Sequence, residues 1–415
     1  MNINTIKYDK INEIVHSYES PSGLKAFVIP KKGYSKKYAT YSTHYGSINN
    51  EFIIPGESDV TRVPDGIAHF LEHKLFEQKD GSVMDKFSKL GSSPNAYTGF
   101  NQTVYLFSCT DRFMDNFKLL IDFVQNPYIT EESVEKEKGI IGQEIKMYED
   151  DPGWRSFFGL LKCFYEKNPV SIDIAGTVES IAEINRDVLY KCYNTFYHPS
   201  NMVVLVVGDV DEKEVFSEIE KGIEKREHRG DIKRIFPVED IRAFKDYNEI
   251  EMPVSMPLFQ MGYKDANPLT NGIDALKSEI CMKLILEMTV GRSSTFYNQL
   301  YAEGLINSSF EADFTNEENY AFSMFGGESK DPVKVRDRLF EEADRIRKAG
   351  MNVDSFERIR RAMKGRFIKG LNSVERISHA FVSVYFKGVT VFDYFDVYDT
   401  ITFEYAKDMF NNHFN

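Results

Sequence analysis

The passage His69-Phe-Leu-Glu72-His73 restricts what this chain can fold into more than any other. On a helix, positions 69 and 73 lie one turn apart and project from the same face, with Glu72 beside them. Ile67, Phe70, Leu71 and Leu75 interleave with that set, and Pro64-Asp65-Gly66 supplies a turn and an N-cap ahead of it. The helix predicted at about residues 66–77 is therefore largely buried. Burying two imidazoles and a carboxylate without partners is costly, so a pair of His satisfied by ordinary hydrogen bonds fits this context poorly.

Two neutral imidazole nitrogens one turn apart suit a Zn²⁺ ion, which takes nitrogen ligands in tetrahedral geometry. Glu72, on the same face, is placed to take a proton from a water activated there. The order H-x-x-E-H is the inverted form of the zinc-peptidase helix motif. A catalytic zinc takes three protein ligands and keeps a fourth position open, so a third ligand is needed. The best candidate is Glu144, in a helix expected over 131–150. It lies three or four residues from Ile140, Ile141, Met147 and Tyr148, which puts it on an expected apolar stripe. Glu137, two turns earlier on that face, is a candidate catalytic residue that would hold a ligand or substrate. Periodicity alone leaves Glu131, Glu132, Glu135 and Glu149 as competitors.

The 415 residues exceed one typical core and predict two domains. The net charge of −13 argues against nucleic acid as a partner. No apolar run is long enough to span a membrane, and the first residues lack the apolar core of a signal peptide. Cys109, Cys163, Cys192 and Cys281 form no C-x-x-C pair, which fits a reducing, cytoplasmic setting.

Strands are expected at 24–30, 38–45, 95–98, 103–109 and 201–208, with helices at 84–89, 111–125, 131–150, 154–166, 178–196 and 211–224. The charged stretch after Lys225 reads as a linker, giving domains of 1–226 and 246–415 joined by 227–245. The second half restarts the plan with strands near 247–252, 257–263, 307–314 and 319–326, helices at 271–289 and 293–303, and helices from 331 onward. Gly91 with Tyr105-Leu-Phe107-Ser108 is echoed by Gly304 with Tyr320-Ala-Phe322-Ser323, about half a chain later. The expected class is α+β: two similar domains, each a mostly antiparallel sheet packed by helices.

Over nearly its whole length the chain resembles the pitrilysin, insulin-degrading and mitochondrial-processing peptidase family. The resemblance rests on H-x-x-E-H followed by Glu137 and Glu144 in an E-x-x-x-x-x-x-E pattern, with 70 residues between His73 and Glu144. Asn95-Ala96-Tyr97-Thr98 followed by Thr103-Val-Tyr105 resembles the family's substrate-binding edge strand. Tyr197-His-Pro-Ser-Asn201-Met and Val-Val-Gly208-Asp-Val resemble the strand closing its first domain. The phrase from Ala68 to Phe76 looks closest to a short bacterial zinc-bearing group called YmfH-like. The resemblance implies one Zn²⁺ held by His69, His73 and Glu144, with Glu72 as general base and then acid. It also implies a peptide substrate added to the strand at 95–98 and a chamber between facing domains.

One part of the family pattern is missing. Relatives carry R-x-x-x-G-L-x-Y in the second half, and those Arg and Tyr side chains stabilise the substrate carbonyl and oxyanion. Here Tyr301 stands in place of the Arg and Asn307 in place of the Tyr, with one residue fewer between them. The resemblance then implies a homo- or heterodimer in which a sister subunit supplies the pair. Substitution by Arg292 or a local tyrosine, or a zinc-binding subunit that cleaves poorly, are the alternatives.

Overall fold

The computed structural model describes residues 2–223, 226–227, 230–265, 268–270 and 272–414. Its chain divides into two compact units. The first comprises 1–147, 172–237 and 371–382, and the second 148–171, 238–370 and 383–415.

In the first unit, the run Met202-Val-Val-Leu-Val-Val-Gly208 has no polar face, which suits a strand covered on both sides. Val203 through Val207 are fully buried. This strand sits in the middle of a seven-stranded sheet. The order is Asn4–Tyr8, Glu13–Glu19, Lys25–Pro30, Met202–Gly208, Lys37–Thr43, Thr103–Cys109 and Ser93–Thr98. Met202–Gly208 runs parallel to Lys25–Pro30, and the other neighbours are antiparallel. The sheet is thus mixed.

Alternation along Lys37–Thr43 sends its tyrosines to opposite faces. Tyr41 meets the helix Phe113–Gln125, where Gln125 Nε2 donates to its hydroxyl at 2.7 Å. On the other face Tyr38 contacts His379 at 3.1 Å, and Phe27 packs on Phe381 with centroids 5.0 Å apart. Residues 371–382 therefore cover that face, although they lie far along the chain.

The second unit holds a smaller, wholly antiparallel sheet of Leu258–Lys264, Ala321–Glu328 and Glu311–Asn316, in that order. The helix Gly272–Thr289 buries Leu276, Ile280, Cys281, Leu284 and Ile285 in the core of this unit. The helix Pro152–Phe164 packs on the same sheet. Phe164 lies 5.7 Å from Phe322, and the Tyr165 hydroxyl donates to the Ala321 carbonyl at 3.1 Å.

Several expectations need correction. The bounds 1–226, 227–245 and 246–415 do not coincide with the compact units, because residues 148–171 belong with the second and 371–382 with the first. Amphipathic periodicity shows that a helix buries one face but not which sheet receives it. Within the expected linker, Lys233–Arg234 pairs with the strand Glu51–Ile53, while residues 228 and 229 lie outside those described. The helix expected at 178–196 is two, Val178–Ala182 and Arg186–Phe196, because Asn185 caps the second through Val188 N. No strand forms at 247–252, where Tyr247 is largely exposed. The strands Asn4–Tyr8 and Glu13–Glu19 carry too many polar residues to announce themselves.

Candidate metal centre

The motif helix is Ile67–Leu75, and all of it except His73 is buried. Its N-cap is Gly66. The Asp65 carboxylate accepts from Asn50 Nδ2 at 2.8 Å. Gly66 has φ +86°, and a Cβ there would come within 2.3 Å of the Ala175 carbonyl oxygen, so only glycine fits this approach. The helix packs on the Ser93–Thr98 and Thr103–Cys109 hairpin.

His69 Nε2 lies 3.6 Å from Glu144 Oε1, and His73 Nε2 lies 3.4 Å from Glu144 Oε2. One ligand atom from each of the three residues falls within 4.8 Å of the others, and no other such trio occurs among the described residues. His73 Nδ1 is 3.0 Å from Glu137 Oε1. An ionised carboxylate can only accept, so Nδ1 is the donor in this contact and Nε2 is the ring nitrogen turned toward Glu144. Two imidazole nitrogens and a carboxylate, converging in this way, fit the donor set of a zinc ion.

Glu144 arrives by a different route from the expected apolar stripe. On its helix, Glu131–Glu149, the buried face carries Val134, Glu137, Ile141, Gly142 and Ile145, whereas Ile140 and Met147 are exposed. Glu144 stands half-buried at the border of that face.

Glu72 is 8% exposed, and the Thr98 hydroxyl donates to its Oε2 at 2.6 Å. Burial pushes the Glu72 carboxyl above its ordinary range, only partly offset by His69 and the Thr98 hydrogen bond. For His73, burial alone would lower the pKa. The Glu137 hydrogen bond and the carboxylates of Glu72, Glu144 and Glu137 outweigh it and raise the value. For Glu137 burial is likewise outweighed, by the His73 hydrogen bond and then by His73 and Lys74, so its carboxyl is held low.

The expected substrate strand is an edge. Ser93–Thr98 pairs with Thr103–Cys109 on one side, in the register Thr98 to Thr103 and Asn95 to Leu106. Asn95 is exposed, and Ala96, Tyr97 and Thr98 are half-buried. Sequence reasoning missed two partners. Thr98, read as a substrate contact, holds Glu72. Lys74 is fully buried beside Glu137, and its only trace in the sequence is a lysine between His73 and the apolar Leu75.

In the second unit, Tyr301 is 54% exposed and stacks on Tyr297. Asn307 braces a loop: its Nδ2 donates to Glu328 at 2.7 Å, and its Oδ1 accepts from Ser309 N at 2.8 Å. Arg292 donates to the Ser308 carbonyl at 3.0 Å.

This fold and donor set agree with those of the inverted-motif zinc class, and the chain belongs to the M16 insulinase family. Residues 61–178 match the family model described as Insulinase (Peptidase family M16), and residues 183–363 match Peptidase M16 inactive domain. The chain is 44% identical to the uncharacterized zinc protease YmfH of Bacillus subtilis strain 168, over 97% of this chain and 94% of that one. It is similar to a crystal structure of an M16-like peptidase from Alicyclobacillus acidocaldarius, with TM-score 0.93, 33% identity, and coverage of 100% of this chain and 96% of that one. A Helicobacter pylori protease shares the fold at TM-score 0.79 and 19% identity, over 97% of each chain. No helix among the described residues is long and apolar enough to cross a membrane.

Proposed function

We propose that this chain is a zinc metalloendopeptidase that hydrolyses short, unstructured peptides. The observation that carries the reading is the meeting of His69, His73 and Glu144 beside a buried Glu72 that is tied to an edge strand through Thr98. Zinc at this donor set supplies Lewis acidity, polarising a peptide carbonyl and acidifying water. Glu72 accepts the proton of the attacking water and returns it to the leaving amine. Its raised pKa brings it nearer the working pH for both steps. Glu137 orients the His73 ring. The open side of Ser93–Thr98 binds the substrate backbone by strand addition, through main-chain groups that impose little sequence preference.

Tyr301 and Asn307 favour a division of labour, in which the zinc-bearing chain pairs with a sister chain that brings the oxyanion donors. The second reading, a zinc-binding subunit with weak or no activity of its own, rests on the same two positions. The four free, buried cysteines support a cytoplasmic setting.

The test is zinc content together with mass measurement of peptide products, with and without chelator. The purified chain should hold one zinc. The Glu72→Gln variant should keep the metal and lose hydrolysis by about 10²- to 10⁴-fold. Full activity in Glu72→Gln with zinc bound would falsify the assignment.

A further inference from the structure

We propose that Lys74 is a positioning residue for the metal centre, dividing the Glu137 carboxylate with His73 so that the imidazole is held with Nε2 toward Glu144. The inference rests on the zinc reading above and adds a residue to it.

Lys74 has no exposed surface, which is unusual for a lysine unless it is paired. Its Nζ donates to Glu77 Oε2 and, at 3.3 Å, to the Ser133 carbonyl, and lies 3.8 Å from Glu137 Oε2. The other Glu137 oxygen, Oε1, is the one 3.0 Å from His73 Nδ1. The two oxygens are thus assigned to different partners, the ammonium on one side and the imidazole on the other. A carboxylate hydrogen-bonded to the ring at one oxygen and attracted by an ammonium at the other resists rotation away from the ring it orients. Without Lys74, Glu137 would be a buried carboxylate with one anchor, facing a cluster that already holds Glu72 and Glu144. Glu77 reaches Lys74 from a more exposed position, its side chain 37% accessible against 10% for Glu137. It neutralises the lysine without touching the ligand set.

A merely structural lysine would support helix packing and leave metal affinity alone. The two roles separate in a chelator competition that measures the zinc dissociation constant of the folded protein. Lys74→Met, similar in length and uncharged, should weaken zinc binding by about 10- to 100-fold, the range for outer partners of metal ligands. Lys74→Gln keeps a donor for the Ser133 carbonyl and should weaken binding similarly, so the result does not depend on one variant folding. Glu77→Gln should leave zinc affinity near that of the wild type. In the Glu137→Gln background the Lys74→Met loss should largely vanish, because the lysine acts through that carboxylate.

Unchanged zinc affinity in both Lys74 variants, with only a lower melting temperature in the metal-free and metal-loaded forms alike, would overturn the inference while the zinc reading stood. Losses that simply add in the double variant would do the same. A wild-type chain that takes up no zinc would instead overturn the proposed function, and this role with it.

Discussion

Each unit gathers ionisable side chains out of water, and the two gatherings are built on opposite plans. In the second unit Lys387 lies 2.9 Å from Glu317 and 3.3 Å from Glu279, while Lys283 lies 3.0 Å from Glu279 and 3.3 Å from Asp313. Each of these three carboxylates lies within 4 Å of at least one of the two ammoniums. In the first unit Glu72, Glu137 and Glu144 surround two imidazoles, and of these three carboxylates Lys74 reaches only Glu137. Carboxylates that each meet an ammonium brace a fold, whereas carboxylates that meet only imidazoles are a place for an ion. The first comparison to break is therefore ligand against brace. Glu144→Gln should weaken zinc binding by more than the ~10- to 100-fold expected of an outer partner, whereas Glu317→Gln should leave it unchanged. Equal effects in a chelator competition would dissolve the distinction.

The second cluster sharpens the contrast from its own side. Burial pushes the Glu317 carboxyl up and Lys387 only partly offsets it, whereas at Glu279 the two lysines outweigh burial and hold the carboxyl low. Lys387→Met leaves Glu317 without its cation and Glu279 with Lys283 alone. With the lysine side chain 18% accessible, the expected cost is the lower end of that for breaking a buried pair, about 3 kcal/mol, read as a shift of the urea midpoint. Zinc affinity of the folded variant should not move.

A third test compares two imidazoles of the first unit. Carboxylates raise His73, while burial and the nearby Arg234 push His44 down to about 3. For His44 the unfolded chain takes up the proton first as pH falls. Its contribution to stability is complete above the unfolded value of 6.5 and is lost progressively below it. Between pH 7 and pH 5 this amounts to about 2 kcal/mol. Denaturation of the wild type should show that loss, and His44→Asn should show a flatter profile over the same interval. Identical slopes would remove His44 as the cause.

How far such clusters can be read from sequence depends on what fixes them. The H-x-x-E-H spacing is set by one helical turn, so His69, Glu72 and His73 were legible before any fold was known. Glu137 and Glu144 were legible as two turns of one helix, but the face was misread, because Ile140 and Met147 look like core and are exposed. The strand Met202–Gly208 was legible because it has no polar face at all. The exchange of residues 148–171 and 371–382 between units was not, since no local pattern records which distant sheet a helix or segment covers. The Thr98 to Glu72 contact was hidden for a related reason. It joins a strand end to a helix 26 residues away, and only the packing of that hairpin on the motif helix creates it.

That contact carries the smallest expected effect. Thr98 lies at the end of the edge strand proposed to receive substrate, with its hydroxyl 2.6 Å from Glu72 Oε2. Thr98→Val preserves shape and β-branching while removing the donor, so the backbone of the strand keeps its pairing with Thr103. A hydrogen bond to a charged group contributes roughly 1.5 kcal/mol or more, so kcat should fall about 10-fold. KM should stay near wild type, because main-chain strand addition does not use the hydroxyl, and zinc content should be unchanged because Thr98 touches no ligand. A rise in KM with kcat preserved would return Thr98 to the role of substrate contact and detach the edge strand from the base.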